Sequence, residues 1–156
     1  MKRKAFLIIG VTAAFAAMAT AQTTAKTIIP DDVVFDEYGA VAMSLTGVAG
    51  DAANGRKLFA NRKLGNCLAC HVNSEITEQA FHGEVGPSLD GVADRWNEAE
   101  LRGILTNSKN TFEGSIMPSF YRTSGFTRPL EKFEGKSILA AQDVEDILAY
   151  IRTLTE

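Results

Sequence analysis

The chain contains two cysteines, Cys67 and Cys70, and a histidine, His71, follows the second directly. The spacing C-x-x-C-H is typical of covalent c-type haem attachment. Two thiols one helical turn apart can each form a thioether with a haem vinyl group, and the adjacent imidazole then reaches the iron from the same side. The pentapeptide therefore predicts one covalently bound haem c, held by Cys67 and Cys70, with His71 as an axial iron ligand.

Three other interpretations of these residues compete with haem attachment. A thioredoxin-type redox pair also uses C-x-x-C, but it is expected near a β-α-β pattern and does not require the histidine. A zinc site would combine Cys67, Cys70, His71 and His82, although the adjacent Cys70 and His71 make an awkward tetrahedral chelate. A disulfide would close a very small loop. Haem attachment is favoured because it uses both cysteines and the histidine that follows them.

The N-terminus has the pattern of a secretory signal peptide. Basic residues at positions 2–4 precede an uncharged, Ala-rich run over residues 5–18, and small residues at 19–21 offer a cleavage site. An uncleaved anchor is the alternative, but the run is shorter than the roughly 20 residues that a membrane span needs. We predict a signal peptide over residues 1–21, a periplasmic location and no membrane span after cleavage. Two cysteines in that oxidising compartment would pair unless haem occupied them.

The charge balance narrows the choice of partners. The chain carries 16 basic and 19 acidic residues, a net charge of −3. Loss of residues 1–21 removes three basic residues and no acidic one, which leaves 13 against 19 and a net charge of −6. This acidic balance argues against nucleic acid as a partner. The remaining length is sufficient for one domain with one core.

Hydrophobic periodicity predicts an all-α domain with three helices. The first begins after the N-cap Asp51 and ends near Arg62, the second begins with a capping-box pattern at residues 97–100, and the third follows an N-cap near Ala140. Their apolar positions include Leu58 and Phe59 in the first helix, Leu101, Ile104 and Leu105 in the second, and Val144, Ile147, Leu148, Ile151 and Leu154 in the third. We divide the chain into the signal peptide, an N-terminal arm over residues 22–49 and a haem-binding domain over residues 50–156.

Two segments exceed what a minimal helical domain requires. One is the arm over residues 22–49, and the other is a connection over residues 118–139 that is rich in aromatic residues. Connections of this length without secondary structure tend to be functional. Their hydrophobic residues either cover the haem edge and complete the core or dock a partner protein. The sequence leaves both possibilities open.

Three residues are candidates for the second axial ligand: Met43, Met117 and His82. Met117 lies 46 residues after His71 and precedes Pro118, so the chain has room to return to the opposite face of the porphyrin. We therefore predict His71 and Met117 as the axial ligands. Because this pair fills both positions on the iron, it favours electron transfer over substrate binding.

Two further residues are expected near the cofactor. The second ring nitrogen of an iron-bound histidine normally donates to a fixed acceptor, and the backbone carbonyl of Pro87 is the candidate for His71. The indole N–H of Trp96 is a candidate donor to a haem propionate. A core aromatic with an incidental partner is an equally good interpretation of Trp96.

These motifs together resemble class I cytochrome c over about residues 51–155. The resemblance is carried by Gly55, Phe59, the C-x-x-C-H motif, Gly86-Pro87-x-Leu89, Met117 and the run over residues 146–150. It implies that the first helix crosses the last near Gly55, Phe59 and Tyr150. It also implies that the carbonyl of Pro87 accepts the hydrogen bond of His71.

A longer set of motifs is similar to the SoxX family, the small monohaem subunits of the SoxAX cytochromes of sulfur-oxidising bacteria. The matching runs cover residues 81–87, 101–104, 112–114, 117–121, 125–126, 135–136 and 141–146, and they include the unusual connection that precedes the last helix. The resemblance implies a heterodimer with a SoxA-like subunit that carries one or two haems. In that family the complex is an L-cysteine S-thiosulfotransferase, which oxidatively couples thiosulfate to a cysteine of the SoxYZ carrier and passes electrons to a soluble cytochrome c.

The cysteines limit the part that this chain can play in such a complex. Because Cys67 and Cys70 are used as thioethers, the chain has no thiol for sulfur chemistry, so we expect no catalytic residue in it and place the reaction on the partner. A free-standing periplasmic electron shuttle is the main alternative. A sensing module that exchanges an iron ligand is the second.

Overall fold

The structure of the protein is a computed structural model that describes residues 26–156, so the predicted signal peptide lies outside the described residues. Four α-helices occupy this part of the chain: α1 (Ala52–Ala60), α2 (Val92–Arg95), α3 (Glu98–Asn107) and α4 (Ala141–Ile151). Short 3-10 turns lie at Pro30–Asp32, Cys67–Ala69, Ser108–Asn110 and Glu131–Phe133. Residues 26–156 contain no β-strand, and none of their helices is both long and apolar enough to span a membrane.

Side chains at the N-termini determine where the three predicted helices begin. The Asp51 carboxylate accepts the N–H groups of Ala53 (2.8 Å) and Asn54 (3.2 Å) at the start of α1. At α3, the predicted capping box is formed by reciprocal hydrogen bonds between Asn97 and Glu100. The carboxylate of Asp143, inside α4, accepts the N–H of Ala140 at 2.9 Å. This bond compensates for the missing capping side chain at that position.

The observed helix ends differ slightly from the predicted ones. Helix α1 ends at Ala60 rather than near Arg62, because Asn61 has extended backbone dihedral angles. Helix α4 ends at Ile151, yet Leu154 beyond it is buried and completes the apolar stripe. The four-residue helix α2 was not predicted. It is too short to show a helical period, and Gly91, with φ of 65°, turns the chain into it.

Helices α1 and α4 cross, and a glycine of α1 lies at their point of closest contact. A Cβ atom on Gly55 would lie 1.9 Å from the carbonyl oxygen of Asp146, so no larger residue fits at this crossing. Phe59 and Tyr150 pack edge to face beside it, with ring centroids 5.5 Å apart. The Asp146 carboxylate also accepts the N–H of Asp51 at 2.9 Å. The crossing therefore fixes the helix that leads into the C-x-x-C-H motif.

The described part of the arm packs against α3 and α4. Its residues Ala40, Val41 and Leu45 are buried, whereas Val34 and Met43 are exposed. The N–H of Leu45 donates to Glu145 (2.7 Å), and the guanidinium of Arg102 donates to the carbonyl of Val41 (3.0 Å). Arg102 and Glu145 form a buried ion pair at 2.9 Å. The arm is thus held by the same charged pair that joins α3 to α4.

Candidate haem site

The C-x-x-C-H motif forms a single tight turn between α1 and the loop that follows. Asn66, with φ of 49°, reverses the chain, and the 3-10 turn Cys67–Ala69 follows. The carbonyl of Cys67 accepts the N–H groups of Cys70 (3.1 Å) and His71 (3.0 Å). These bonds hold two sulfur atoms and one imidazole on little more than one helical turn. The arrangement suits a cofactor that is attached at two points and ligated from one side.

The environment of the cysteines favours uncharged sulfur. Both are free thiols, and burial raises the pKa of the Cys67 thiol to about 12. A thioether carries no charge and is compatible with this burial, whereas a zinc thiolate would place a negative sulfur there. Within residues 26–156, no three His, Cys, Asp or Glu side chains are grouped to hold a metal ion. The donor set fits haem attachment better than the zinc or disulfide alternatives.

The imidazole of His71 is fixed from the side of its Nδ1 atom. Nδ1 lies 2.7 Å from the backbone carbonyl oxygen of Pro87. Because a carbonyl only accepts, Nδ1 carries the proton, and the lone pair of Nε2 is left for a metal. A Cβ on Gly86 would lie 2.3 Å from His71 Cε1, so the ring packs directly against the Gly86 backbone. The sequence therefore places a hydrogen-bond acceptor and a steric wall on the same side of this ring.

Residues 82–87 wrap tightly around the motif. The N–H of Gly83 donates to the carbonyl of Leu68 (2.8 Å), and that of Gly86 donates to the carbonyl of Cys70 (2.7 Å). A Cβ on Gly83 would lie 2.0 Å from the carbonyl oxygen of Ala69. The two glycines therefore let backbone lie on backbone. In the sequence these glycines stand out only as parts of a motif, and nothing in it predicts this backbone contact.

His82 has a structural part in this loop. Its Nδ1 accepts the N–H of Asn73 (3.4 Å), and its Nε2 lies 3.1 Å from the carbonyl oxygen of Ile76. Since both ring nitrogens are engaged, His82 is a poor candidate for the second axial ligand or for zinc. Asn73 is fully buried and donates from its side-chain amide to the hydroxyl of Tyr150 at 2.9 Å. A lone Asn gives no sequence signal for such a tether between the motif and α4.

The structure separates the two candidate methionines. Met43 is 68% exposed, whereas Met117 is half-buried and packs against the hydrophobic core. Side-chain hydroxyl and amine groups hold the Met117 backbone. Its carbonyl accepts from Ser108 Oγ (3.1 Å) and from Lys109 Nζ, and its N–H donates to Ser115 Oγ (3.3 Å). Of the two methionines, Met117 alone packs against the hydrophobic core.

Aromatic and aliphatic side chains that lie close in sequence to the C-x-x-C-H motif and to Met117 supply apolar surface. Trp96 is half-buried and packs edge to face on Phe112, with ring centroids 5.7 Å apart. Large exposed hydrophobic residues flank both the motif and Met117. They are Phe81, Val85, Phe112 and Ile116. This surface fits a large apolar ring, because a soluble domain rarely exposes several such side chains without an occupant or partner.

Comparison with known proteins identifies the family of this chain. The family model for cytochrome c matches residues 52–155. The chain belongs to the cytochrome c family. Its predicted all-α cytochrome c fold and covalently bound haem c are thereby confirmed. A comparison with curated proteins finds no match.

Among solved structures, this cytochrome c is similar to a chain in the crystal structure of SoxXA from P. pantotrophus. The two are 45% identical, with a TM-score of 0.78 over 84% of this chain and 100% of that chain. This match confirms the predicted resemblance to SoxX. The X-ray structure of ferric cytochrome c-550 from Paracoccus versutus is 21% identical, with a TM-score of 0.39 over 69% of this chain and 99% of that chain.

Proposed function

We propose that this cytochrome c is the electron-transfer subunit of a SoxAX-type complex that couples thiosulfate to a cysteine of a SoxYZ-type carrier. The likeness to the SoxXA chain, which extends over 84% of the sequence at 45% identity, carries the proposal. The export pattern at residues 1–21 supports a periplasmic location. The partner is a SoxA-like subunit with one or two haems, and the electron acceptor is a soluble cytochrome c.

The residues of the site have separate tasks in this proposal. Cys67 and Cys70 would hold the haem as thioethers, and His71 and Met117 would ligate its iron. When bound, the haem supplies reversible one-electron transfer at its iron. The Pro87 carbonyl accepts from Nδ1 of His71, with an N···O distance of 2.7 Å, which fixes the ring and leaves Nε2 to ligate the iron when haem is bound. The indole N–H of Trp96 would serve as a donor to a haem propionate.

Two chemical limits assign the sulfur reaction to the partner subunit. Joining thiosulfate to a cysteine thiol forms one S–S bond and releases one proton and two electrons. Neither cysteine of this chain is available as a thiol once the thioethers have formed, and two protein ligands leave the iron no open position for a substrate. This subunit therefore removes electrons one at a time and passes them on.

Reconstitution tests this function directly. The mature haem-loaded chain is mixed with a SoxA-like subunit, and size-exclusion chromatography reports whether a stable heterodimer forms. Thiosulfate and a SoxYZ-like carrier are then added while the absorbance of this haem is followed. We expect a heterodimer, carrier-bound thiosulfate and reduction of this haem. A chain that remains monomeric would support a free-standing shuttle, and a heterodimer that consumes thiosulfate without reducing this haem would leave it a structural role. The control omits the SoxA-like subunit, and no reduction by thiosulfate is expected.

A further inference from the structure

The connection that follows Met117 lines a partly open cavity of about 380 Å³ on the protein surface. Its walls come from residues 118–138 together with Lys109, and they are mainly apolar, with Phe126, Leu130, Phe133 and Ile138 among them. Cys67, Cys70, His71, Met117 and Trp96, which are assigned to the haem, do not line it. The cavity is therefore separate from the cofactor site, although Pro118 joins the two in sequence.

Three cations line this apolar cavity: Lys109, Arg122 and Lys136. None of them forms an ion pair with a carboxylate among residues 26–156. Burial and then the positive charge of Arg122 lower the pKa of Lys109. The guanidinium of Arg122 lies over the Phe126 ring, 5.5 Å from its centroid, and is therefore positioned rather than free in solvent. Like charges held together in this way favour an anion between them.

Three other arginines are paired with carboxylates within the fold, whereas Arg62, Arg95 and Arg128 form no ion pair among the described residues. Arg56 pairs with Glu78, Arg102 with Glu145, and Arg152 with Glu98. Glu131 and Glu134 belong to the same connection as the cavity, yet they are exposed and do not line it. A chain with more acidic than basic residues thus leaves its cavity cations without a carboxylate among the described residues. The missing negative charge is best supplied by another molecule.

We infer that this cavity receives a segment of the partner subunit that presents a carboxylate beside an apolar side chain. The inference rests on the proposed heterodimer. The volume and the apolar walls exceed what a small inorganic anion would fill, and they suit a side chain that serves as an anchor. A soluble electron acceptor docks briefly through a small surface, whereas a permanent subunit has a larger and more hydrophobic interface. The charge and the shape of the cavity together favour the SoxA-like subunit over a soluble electron acceptor as its occupant.

The test compares two surface variants of the haem-loaded chain with the unmodified protein. The double variant Arg122→Gln/Lys136→Gln removes two cavity cations and leaves Lys109 on the Met117 carbonyl. Lys132→Gln is the matched control, because Lys132 lies on the same connection but outside the cavity. Binding of the SoxA-like subunit is measured by calorimetry. We expect the double variant to raise Kd about tenfold or more, whereas the control changes it by less than about twofold.

Carbodiimide cross-linking supplies a second measurement, because this reagent joins lysine amines to carboxylates in contact. We expect Lys136 to be joined to a carboxylate of the partner and Lys132 to remain unmodified. Unchanged visible and circular dichroism spectra establish that the double variant folds and retains its haem. A heterodimer with unaltered Kd and cross-links elsewhere would overturn the inference and leave the proposed function standing. Competition by millimolar thiosulfate or sulfate would identify a small-anion site and would also overturn it. Failure of the unmodified chains to associate would overturn both.

Discussion

The segments that carry the two proposed iron ligands are built in different ways. In the proximal segment, residues 66–87, backbone groups bond to backbone groups, and Gly83 and Gly86 bring the chain into contact with the motif itself. In the distal segment, residues 108–121, the Met117 backbone is held by the side chains of Ser108, Lys109 and Ser115. The position of His71 thus depends on backbone packing, whereas that of Met117 depends on exchangeable side chains.

This difference predicts how each segment responds to substitution. A backbone contact is lost only when the chain is forced apart, so changes in the proximal segment should affect the free energy of unfolding and the ligand geometry together. The Met117 side chain in the distal segment is only half-buried, so a replacement of similar volume should have little effect on the fold. Substitution of Met117 should therefore change the reduction potential while the free energy of unfolding changes little.

The largest effect is expected on the reduction potential when the distal ligand is replaced. Met117→Leu conserves the volume of the side chain but removes its sulfur, so the unfolding free energy should fall by less than about 1.5 kcal/mol. Loss of the thioether should alter the visible spectrum and lower the reduction potential by about 0.1 V or more, within the roughly 0.8 V range that axial ligands span. Spectroelectrochemistry measures both. Met43→Leu, at a position that is 68% exposed, is the control and should change neither. An unaltered spectrum for Met117→Leu would reject the distal assignment and reopen the sensing alternative.

The next largest effect is expected on the free energy of unfolding when a glycine is replaced in each segment. Gly86→Ala would place a methyl group 2.3 Å from Cε1 of His71, which forces the ring away from Pro87, and we expect a loss of about 2–3 kcal/mol in unfolding free energy. Gly114→Ala in the distal segment has no atom within 4 Å of its new Cβ, so only its φ of +74° opposes the change. That cost is about 1 kcal/mol. Urea denaturation of the haem-loaded variants measures both losses. Equal losses would contradict the proposed difference between the segments.

The same difference explains which parts of the site could be predicted from the sequence. C-x-x-C-H is a continuous motif whose spacing has one main chemical use, so Cys67, Cys70 and His71 follow from it directly. The three long helices follow from caps and apolar periods that are also local. Pro87 could be proposed because a ligand histidine needs an acceptor near in sequence, and its carbonyl lies 2.7 Å from Nδ1 of His71.

Contacts between distant segments gave no comparable signal. Asn73 is 77 residues from Tyr150, and nothing in either residue type shows that they form a buried hydrogen bond. Neither Gly83 nor Lys109 belongs to a periodic pattern, yet one permits a backbone contact and the other holds the Met117 carbonyl. The cavity beyond Met117 is likewise formed by a connection without a regular period. Such features depend on the path of the chain in space.

Two tyrosines offer a smaller, matched comparison of the segments. Tyr150→Phe removes the hydroxyl that accepts from Asn73 at 2.9 Å, which leaves a buried amide without its acceptor and costs about 1–2 kcal/mol. Tyr121→Phe removes the donor to the carbonyl of Ile28 at 2.7 Å, a bond that is only part-buried, and costs about 0.5 kcal/mol. Thermal unfolding measures both variants. If Tyr121→Phe lowers the stability more than Tyr150→Phe does, the side-chain bonds of the distal segment and the arm contribute more to stability than those of the proximal segment.

The smallest effect concerns the pH dependence of the hydrogen bonds that join Ser74, in the proximal segment, to Asp90, just beyond it. The hydroxyl and the N–H of Ser74 donate to the Asp90 carboxylate at 2.6 and 2.8 Å, and these bonds lower the pKa of Asp90. A carboxylate with a depressed folded pKa stabilises the fold above its unfolded pKa of about 3.9, and this contribution disappears as the pH falls through the folded pKa. Because Asp90 is exposed, solvent screening limits the contribution to about 0.5 kcal/mol.

Chemical denaturation of Asp90→Asn between pH 2 and pH 7 measures this contribution. The variant should be less stable than the unmodified protein from about pH 5 to pH 7, and the two should converge as the pH falls below about 4. Glu113→Gln, an exposed carboxylate of the distal segment, is the control and should show no such convergence. A stability difference for Asp90→Asn that is the same at every pH would show that the bonds from Ser74 act through geometry alone. The proximal loop would then depend on its backbone contacts without help from a charged group.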